Sequence, residues 1–172
     1  MSTKFFTNST GNTLFDKFKG IAADMINFDS FLAVVGFFRS SGYFKLRKEL
    51  GNVSEIKILV GINIDDIFRK HNKALLMLAD EDKAKEIYHN GFKEDIVNAQ
   101  YSPEVEEGIL QMCEDLVSGH LQMRIHATKN LHAKFYLCLP QNHSEHSDGW
   151  VIMGSSNISD SGLGIKQPPQ HE

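Results

Sequence analysis

The chain has 172 residues, 22 acidic and 18 basic, and a formal net charge of −4 at pH 7. That length favours one domain, spanning 1–172, with a core of real size, and the composition is that of an ordinary globular protein rather than a disordered or fibrous one. The longest strongly apolar run is too short for a bilayer, the N-terminus has no signal-peptide apolar region, and two cysteines, Cys113 and Cys138, support neither a disulfide framework nor a cysteine-based zinc site, so a cytoplasmic setting without a membrane is expected.

In "NTLFDKFKGIAADMIN", Leu14, Phe15, Phe18, Ile21, Ala22 and Met25 recur at helical spacing. "FLAVVGFF" (31–38) follows as a strand that is apolar on both faces, which fits a buried, parallel position. "SSGYFKLRKELG" reads as a helix, with Ser40 or Ser41 able to cap it and Gly51 to stop it. "IKILVGI" (56–62) is a second buried strand, rich in β-branched residues. Strand, helix, strand in this order argues for an α/β domain with a parallel pair at its centre.

The middle of the chain reads as helical. Asp65 or Asp66 can open a helix through "IFRKHNKALLML", and "EDKAKEIYHNG" carries a short amphipathic pattern. The clearest helix is "SPEVEEGILQMCEDLVSG", with Ser102 suited to the cap and Pro103 to the first turn. Val105, Ile109, Met112, Cys113 and Leu116 form its apolar stripe, and Gly119 ends it. Residues 80–116 hold 11 acidic and 3 basic side chains, which leaves 11 acidic and 15 basic elsewhere, a net of +4. Charge by itself favours a solvated acidic face; a mildly basic remainder facing an anionic ligand is the sharper alternative.

Three strands follow: "LQMRIHA" (121–127), "HAKFYLCL" (132–139) and "GWVIMGS" (149–155). The links "TKN" and "PQNHSEHSD" are short, which suits antiparallel hairpins. The tail "GLGIKQPPQHE" holds two of the four prolines and no closing element, and reads as the point where a longer protein continues.

Strand alternation puts His132, Lys134 and Tyr136 on one face and Ala133, Phe135 and Leu137 on the other. Such a strand is either exposed or part of a site. In "GSSN", Gly154 permits close backbone approach, while Ser155, Ser156 and Asn157 offer donors; a plain turn would use the same residues. An imidazole can act as nucleophile or proton donor near neutrality, a lysine supplies a compact charge for phosphate oxygens, and an asparagine donates to them. His126 is open between a groove residue and a half-buried strand residue. His143 and His146 beside Glu145 and Asp148 fit a polar loop better than a metal site. Lys45, Arg47 and Lys48 share one helix and fit a solvated face better than a phosphate-backbone contact.

Together "HAK" and "GSSN" resemble the signature of the phospholipase D-like superfamily, His-x-Lys followed downstream by Gly-Ser-x-Asn. The flanks "NLHAKFYL" and "VIMGSSNISDSGL" resemble the family's flanks, and "FLAVVGFFRSSGYFKL" with "IKILVGI" resembles its N-terminal strand–helix–strand, so the likeness covers most of the chain. The fold it implies is α/β, a mixed β-sheet flanked by α-helices. The chemistry it implies is phosphodiester cleavage through a phosphohistidine, with no metal or other cofactor. The resemblance gives catalytic roles to His132, Lys134 and Asn157 and substrate contacts to Gly154, Ser155 and Ser156. The family often orients its histidine with a glutamate from the next strand, and Glu172 is the only downstream candidate; Asp160 reads as a turn residue. Leu139 stands where the fuller signature has aspartate, a departure shared by nuclease-like members.

A single motif has a geometric consequence. In-line displacement needs groups on both sides of phosphorus, and one His132 cannot occupy both, so a twofold homodimer is expected. Nucleic acid, DNA in particular, is the expected substrate. Domains similar to this one stand at the N-terminus of bacterial superfamily-2 helicases, which makes covalently linked helicase domains downstream the expected context. The rivals are a module that holds a phosphate backbone without cutting it, a lipid or small-phosphodiester hydrolase, and an α/β interaction domain with an accidental match.

Overall fold

The computed structural model describes residues 5–25, 27–64, 103–125 and 131–165, of which 62–64 and 125 are described as backbone alone. The elements run α1 (Leu14–Asp24), β1 (Phe28–Phe38), α2 (Ser40–Leu50), β2 (Glu55–Ile64), α3 (Pro103–Val117), β3 (Leu121–Ile125), β4 (Phe135–Pro140), β5 (Trp150–Met153) and α4 (Asp160–Leu163). The strands form one mixed sheet in the order β3-β2-β1-β4-β5. β1 and β2 are the expected parallel pair, β3 extends it in parallel, and β4 and β5 are antiparallel additions on the other side. The domain is thus α/β, with a mixed five-stranded sheet flanked by helices among the described residues.

Alternation decides which face of the sheet is the core. Phe31, Ala33 and Val35 of β1, Ile56, Ile58 and Val60 of β2, and Tyr136 and Cys138 of β4 are buried. They meet Leu14, Phe18 and Ile21 of α1, Tyr43 and Leu46 of α2, and Ile109 and Met112 of α3 in one cluster. Phe18 stands edge-on to both Phe31 and Tyr136, with ring centroids 5.5 and 5.1 Å away, and so ties α1 to the two central strands. Leu32, Val34, Leu59, Phe135 and Leu137 line the opposite face and are half-buried. Both faces of β1 are therefore apolar, as its uninterrupted sequence requires.

α1 opens with a reciprocal cap. The Thr13 hydroxyl accepts from the Asp16 amide at 3.0 Å, and the Asp16 carboxylate accepts from the Thr13 amide at 2.9 Å. That backbone hydrogen bond holds the Asp16 carboxyl below the usual range. α2 starts differently from expectation. Arg39 is its N-cap residue and makes no side-chain cap, while Ser40 is buried inside the first turn, so neither Ser40 nor Ser41 caps it. The first-turn position is instead held by the Arg39 amide, which donates to the Ile158 carbonyl at 2.8 Å.

The basic face of α2 is fastened to carboxylates. Lys45 pairs with Asp160 at 2.9 Å, Lys48 with Glu107 at 2.9 Å and Arg47 with Asp115 at 2.8 Å. Asp115 is 3% exposed and also accepts from the Tyr43 hydroxyl at 2.7 Å and from Gln111 at 3.1 Å. Burial and the adjacent carboxylate push the Tyr43 phenol up, which keeps it a donor. Arg47 and Asp115 tie α2 to α3 through a largely buried pair, while Lys45 and Lys48, with side chains 42% and 52% exposed, keep the solvated position expected of them.

The connection between β3 and β4 overturns the expected hairpin. The two strands lie on opposite sides of the β2–β1 pair and do not touch as neighbours. The short link "TKN" was misleading because β4 begins at Phe135, not at His132. Leu131 to Lys134 are irregular and carry the chain across the ends of β2 and β1. The helices expected through "IFRKHNKALLML" and "EDKAKEIYHNG", and the Ser102 cap, lie outside the described residues. Among the described residues no helix is long and apolar enough to cross a membrane.

Removing Asp115 strands two buried donors. Asp115→Ala is expected to cost about 3 kcal/mol of stability, measured by urea denaturation; a loss below about 0.5 kcal/mol would show that Arg47 and Tyr43 find water instead.

Candidate functional site

The site is built where β1 and β2 lose register. Val35 pairs with Val60, but Phe37 pairs with Asn63, so β2 carries one extra residue opposite Gly36. A glycine sits on each strand at this point, Gly36 on β1 and Gly61 on β2. A Cβ on Gly61 would overlap the Leu131 backbone, so the glycine is what lets the incoming chain lie directly on the sheet. His132 follows and turns its ring toward Gly36. Lys134 then enters the end of the sheet and is 6% exposed, while His132 is exposed.

The second segment arrives from the other side. Antiparallel pairing of Phe135 with Met153 places the end of β5 beside the start of β4, and the Gly154 amide donates to the Lys134 carbonyl at 3.2 Å. From there the chain passes the start of β4 to reach the end of β1. The buried Tyr136 hydroxyl donates to the Ser156 carbonyl at 2.6 Å and pins the segment midway. Ile158 bridges to Phe38 in parallel. Ser159 then caps α4 by accepting from the Gly162 amide at 3.1 Å. Gly42 and Gly162 each have backbone where a Cβ would stand, that of Ser159 and of Asn157 respectively, so both glycines are needed to seat this stretch.

His132, Lys134 and Asn157, far apart in sequence, therefore converge on Gly36. From the position of a Cβ on Gly36, Lys134 Nζ lies at 3.4 Å, Asn157 Oδ1 at 3.5 Å and His132 Cδ2 at 3.6 Å. Asn157 Oδ1 accepts from the Phe37 amide at 2.9 Å. A backbone N–H can bond only the oxygen of the carboxamide, so this contact fixes the flip and leaves the Asn157 amino group as the end that can donate to a ligand.

Lys134 is the unusual member. Its ammonium donates to the His132 carbonyl at 2.8 Å and has no carboxylate partner among the described residues. Buried charges are ordinarily paired, as Arg47 is with Asp115. Burial pushes the Lys134 ammonium below the ordinary lysine value of 10.5. No hydrogen bond among the described residues holds either ring nitrogen of His132. A positive centre and a reachable imidazole at one gap, beside a carboxamide held in one orientation, can bind an oxyanion and present a nucleophile to it.

Of the other residues expected at the site, Ser156 is buried and its carbonyl is taken by Tyr136. Gly154 and Ser155 line a groove between α1 and β5, together with Phe6 and Trp150. Glu172 and His126 lie outside the described residues. Asp160 pairs with Lys45 in the first turn of α4 and has the structural role its sequence position suggested. His143 bonds Ser147 at 2.9 Å, and His146 is exposed beside Glu145. Gly36, Gly61, the Phe37 amide and Tyr136 were missed from sequence. A lone glycine inside each of two apolar strands was the available signal, since such a glycine marks a bulge or a close backbone approach.

No protein-family model matches the chain, and no curated protein matches it.

The unpaired lysine makes a stability prediction. Below its depressed pKa, Lys134 is charged in folded and unfolded chains alike, and the folded chain bears the whole desolvation cost. As pH rises through that value the folded chain releases its proton first, and the cost is gone once the unfolded chain titrates near 10.5. Lys134→Met is therefore expected to stabilise the fold at neutral pH by about 1 kcal/mol, with the gain shrinking as pH approaches 10.5. Urea denaturation across this range tests it; a less stable variant at neutral pH would contradict it.

Proposed function

We propose that the chain is a phosphodiesterase domain of the phospholipase D-like type, nuclease-like in branch, acting on DNA in the cytoplasm as a homodimer linked to helicase domains. The observation that carries this reading is the buried ammonium of Lys134, without a carboxylate partner among the described residues, held beside His132 and Asn157 at one gap in the sheet. Such an arrangement has a net positive charge, a fixed donor and an exposed imidazole, which is what a phosphodiester and its attacking group require.

In the proposed reaction a ring nitrogen of His132 attacks phosphorus. The bond to the leaving oxygen breaks, and that oxygen takes a proton from the imidazolium of the second subunit's copy of this histidine. Water then attacks phosphorus and breaks the phosphorus–nitrogen bond, giving its proton to the same second imidazole, which returns both rings to their starting states. Lys134 and the Asn157 amino group neutralise the charge that gathers on the non-bridging oxygens. The two subunits share the work because nucleophile and leaving group face each other across phosphorus.

One observation favours a second reading. His132 has no orienting partner among the described residues, and a ring free to turn suits a module that grips the DNA backbone without cutting it. A plasmid-cutting assay in excess chelator separates the two. The enzyme reading expects cutting that survives chelation and falls at least about a thousandfold in His132→Ala, with a light-scattering mass of twice the chain. DNA retention without cutting would favour the module, and a monomer that cuts would overturn the shared site.

A further inference from the structure

Gly36 stands opposite the extra residue of β2, and no backbone clash accounts for its missing side chain. Its φ is not in the left-handed region, so the backbone does not demand it. Glycine inside a strand also weakens the strand, through entropy and lost packing. Gly61 and Gly42 differ, because a Cβ at either would run into the backbone of Leu131 or Ser159. At Gly36 a Cβ would meet nothing closer than 3.4 Å, which is ordinary van der Waals contact. Gly36 is buried, so the missing methyl leaves a small gap among Lys134, Asn157 and His132.

What borders that gap suits an oxygen of an anion. Lys134 Nζ supplies the charge. Asn157 Oδ1 also faces it and accepts from the Phe37 amide; an acceptor adds no attraction for an anion, so the charge of Lys134 has to supply it. His132 presents its Cδ2 edge. Cδ2 is bonded to Nε2, so phosphorus docked at Nε2 would carry one of its oxygens to the mouth of the gap.

We infer that Gly36 is a specificity-determining residue whose absent side chain forms the subsite for one non-bridging oxygen of a tetrahedral phosphate. This rests on the phosphodiesterase reading and deepens it. The bulge opposite Gly36 serves the same end, because it brings the Leu131–Lys134 crossing down onto the sheet at the position where the gap is left.

Titration of the 172-residue chain with inorganic phosphate tests it, in the wild type, Gly36→Ala and Lys134→Met. The expected result is a folded Gly36→Ala with a melting temperature no lower than the parent's and phosphate affinity weaker by about tenfold or more. Unchanged affinity in Gly36→Ala, alongside loss in Lys134→Met, would overturn the subsite while leaving the anion site intact. A wild-type chain that takes up no phosphate would overturn the anion site itself. A Gly36→Ala chain that fails to fold would show that the gap is not spare room, and would overturn the inference from the other side.

Discussion

Lys134 brings an ammonium into the end of a β-sheet and finds there a backbone carbonyl, not a carboxylate. The carbonyl belongs to His132, two residues earlier, so the contact that partly solvates the charge also fixes the backbone from which the imidazole projects. A buried charge compensated by a single carbonyl costs stability. The rest of the architecture follows from holding that lysine in place. The bulge in β2 and Gly61 let the preceding segment cross the sheet, and Tyr136 pins the Gly154–Asn157 segment against the start of β4.

The contrast with Arg47 sharpens the point. Both are cations drawn out of water. Arg47 meets the two oxygens of Asp115, and that carboxylate is further satisfied by Tyr43 and Gln111. Every charge and donor there has a partner inside the fold, and the result is a brace between α2 and α3. Lys134 has a backbone carbonyl as its acceptor and, among the described residues, no carboxylate.

Much of this was legible in the sequence, for identifiable reasons. β1 was readable because its uninterrupted apolar run fits a two-sided, parallel position, β2 because its run is rich in β-branched residues, and α3 because Ile109 and Met112 recur at helical spacing. His132, Lys134 and Asn157 were readable as a set from a short motif pair. Four features were not. The path from β3 to β4 depended on where β4 starts, and strand alternation carried backwards from Phe135 through His132 hid the crossing. Ser40 looks like the cap of α2, yet the helix start is held through the Arg39 amide by Ile158, a partner 119 residues away that no local pattern reveals. The ion pairs of Lys45, Arg47 and Lys48 likewise depend on α3 and α4 arriving alongside α2. Gly36 and Gly61 were visible as letters, but their meaning required knowing which strand ends they share.

The central claim is that the Lys134 ammonium is charged, buried and short of an anion. The direct measurement is its own titration, followed by carbon NMR of the Lys134 Cε resonance with and without inorganic phosphate. The account predicts a pKa below 10.5 in the empty chain that rises when phosphate is added, because the anion favours the charged form. A Lys134 that titrates at 10.5 and ignores phosphate would contradict it.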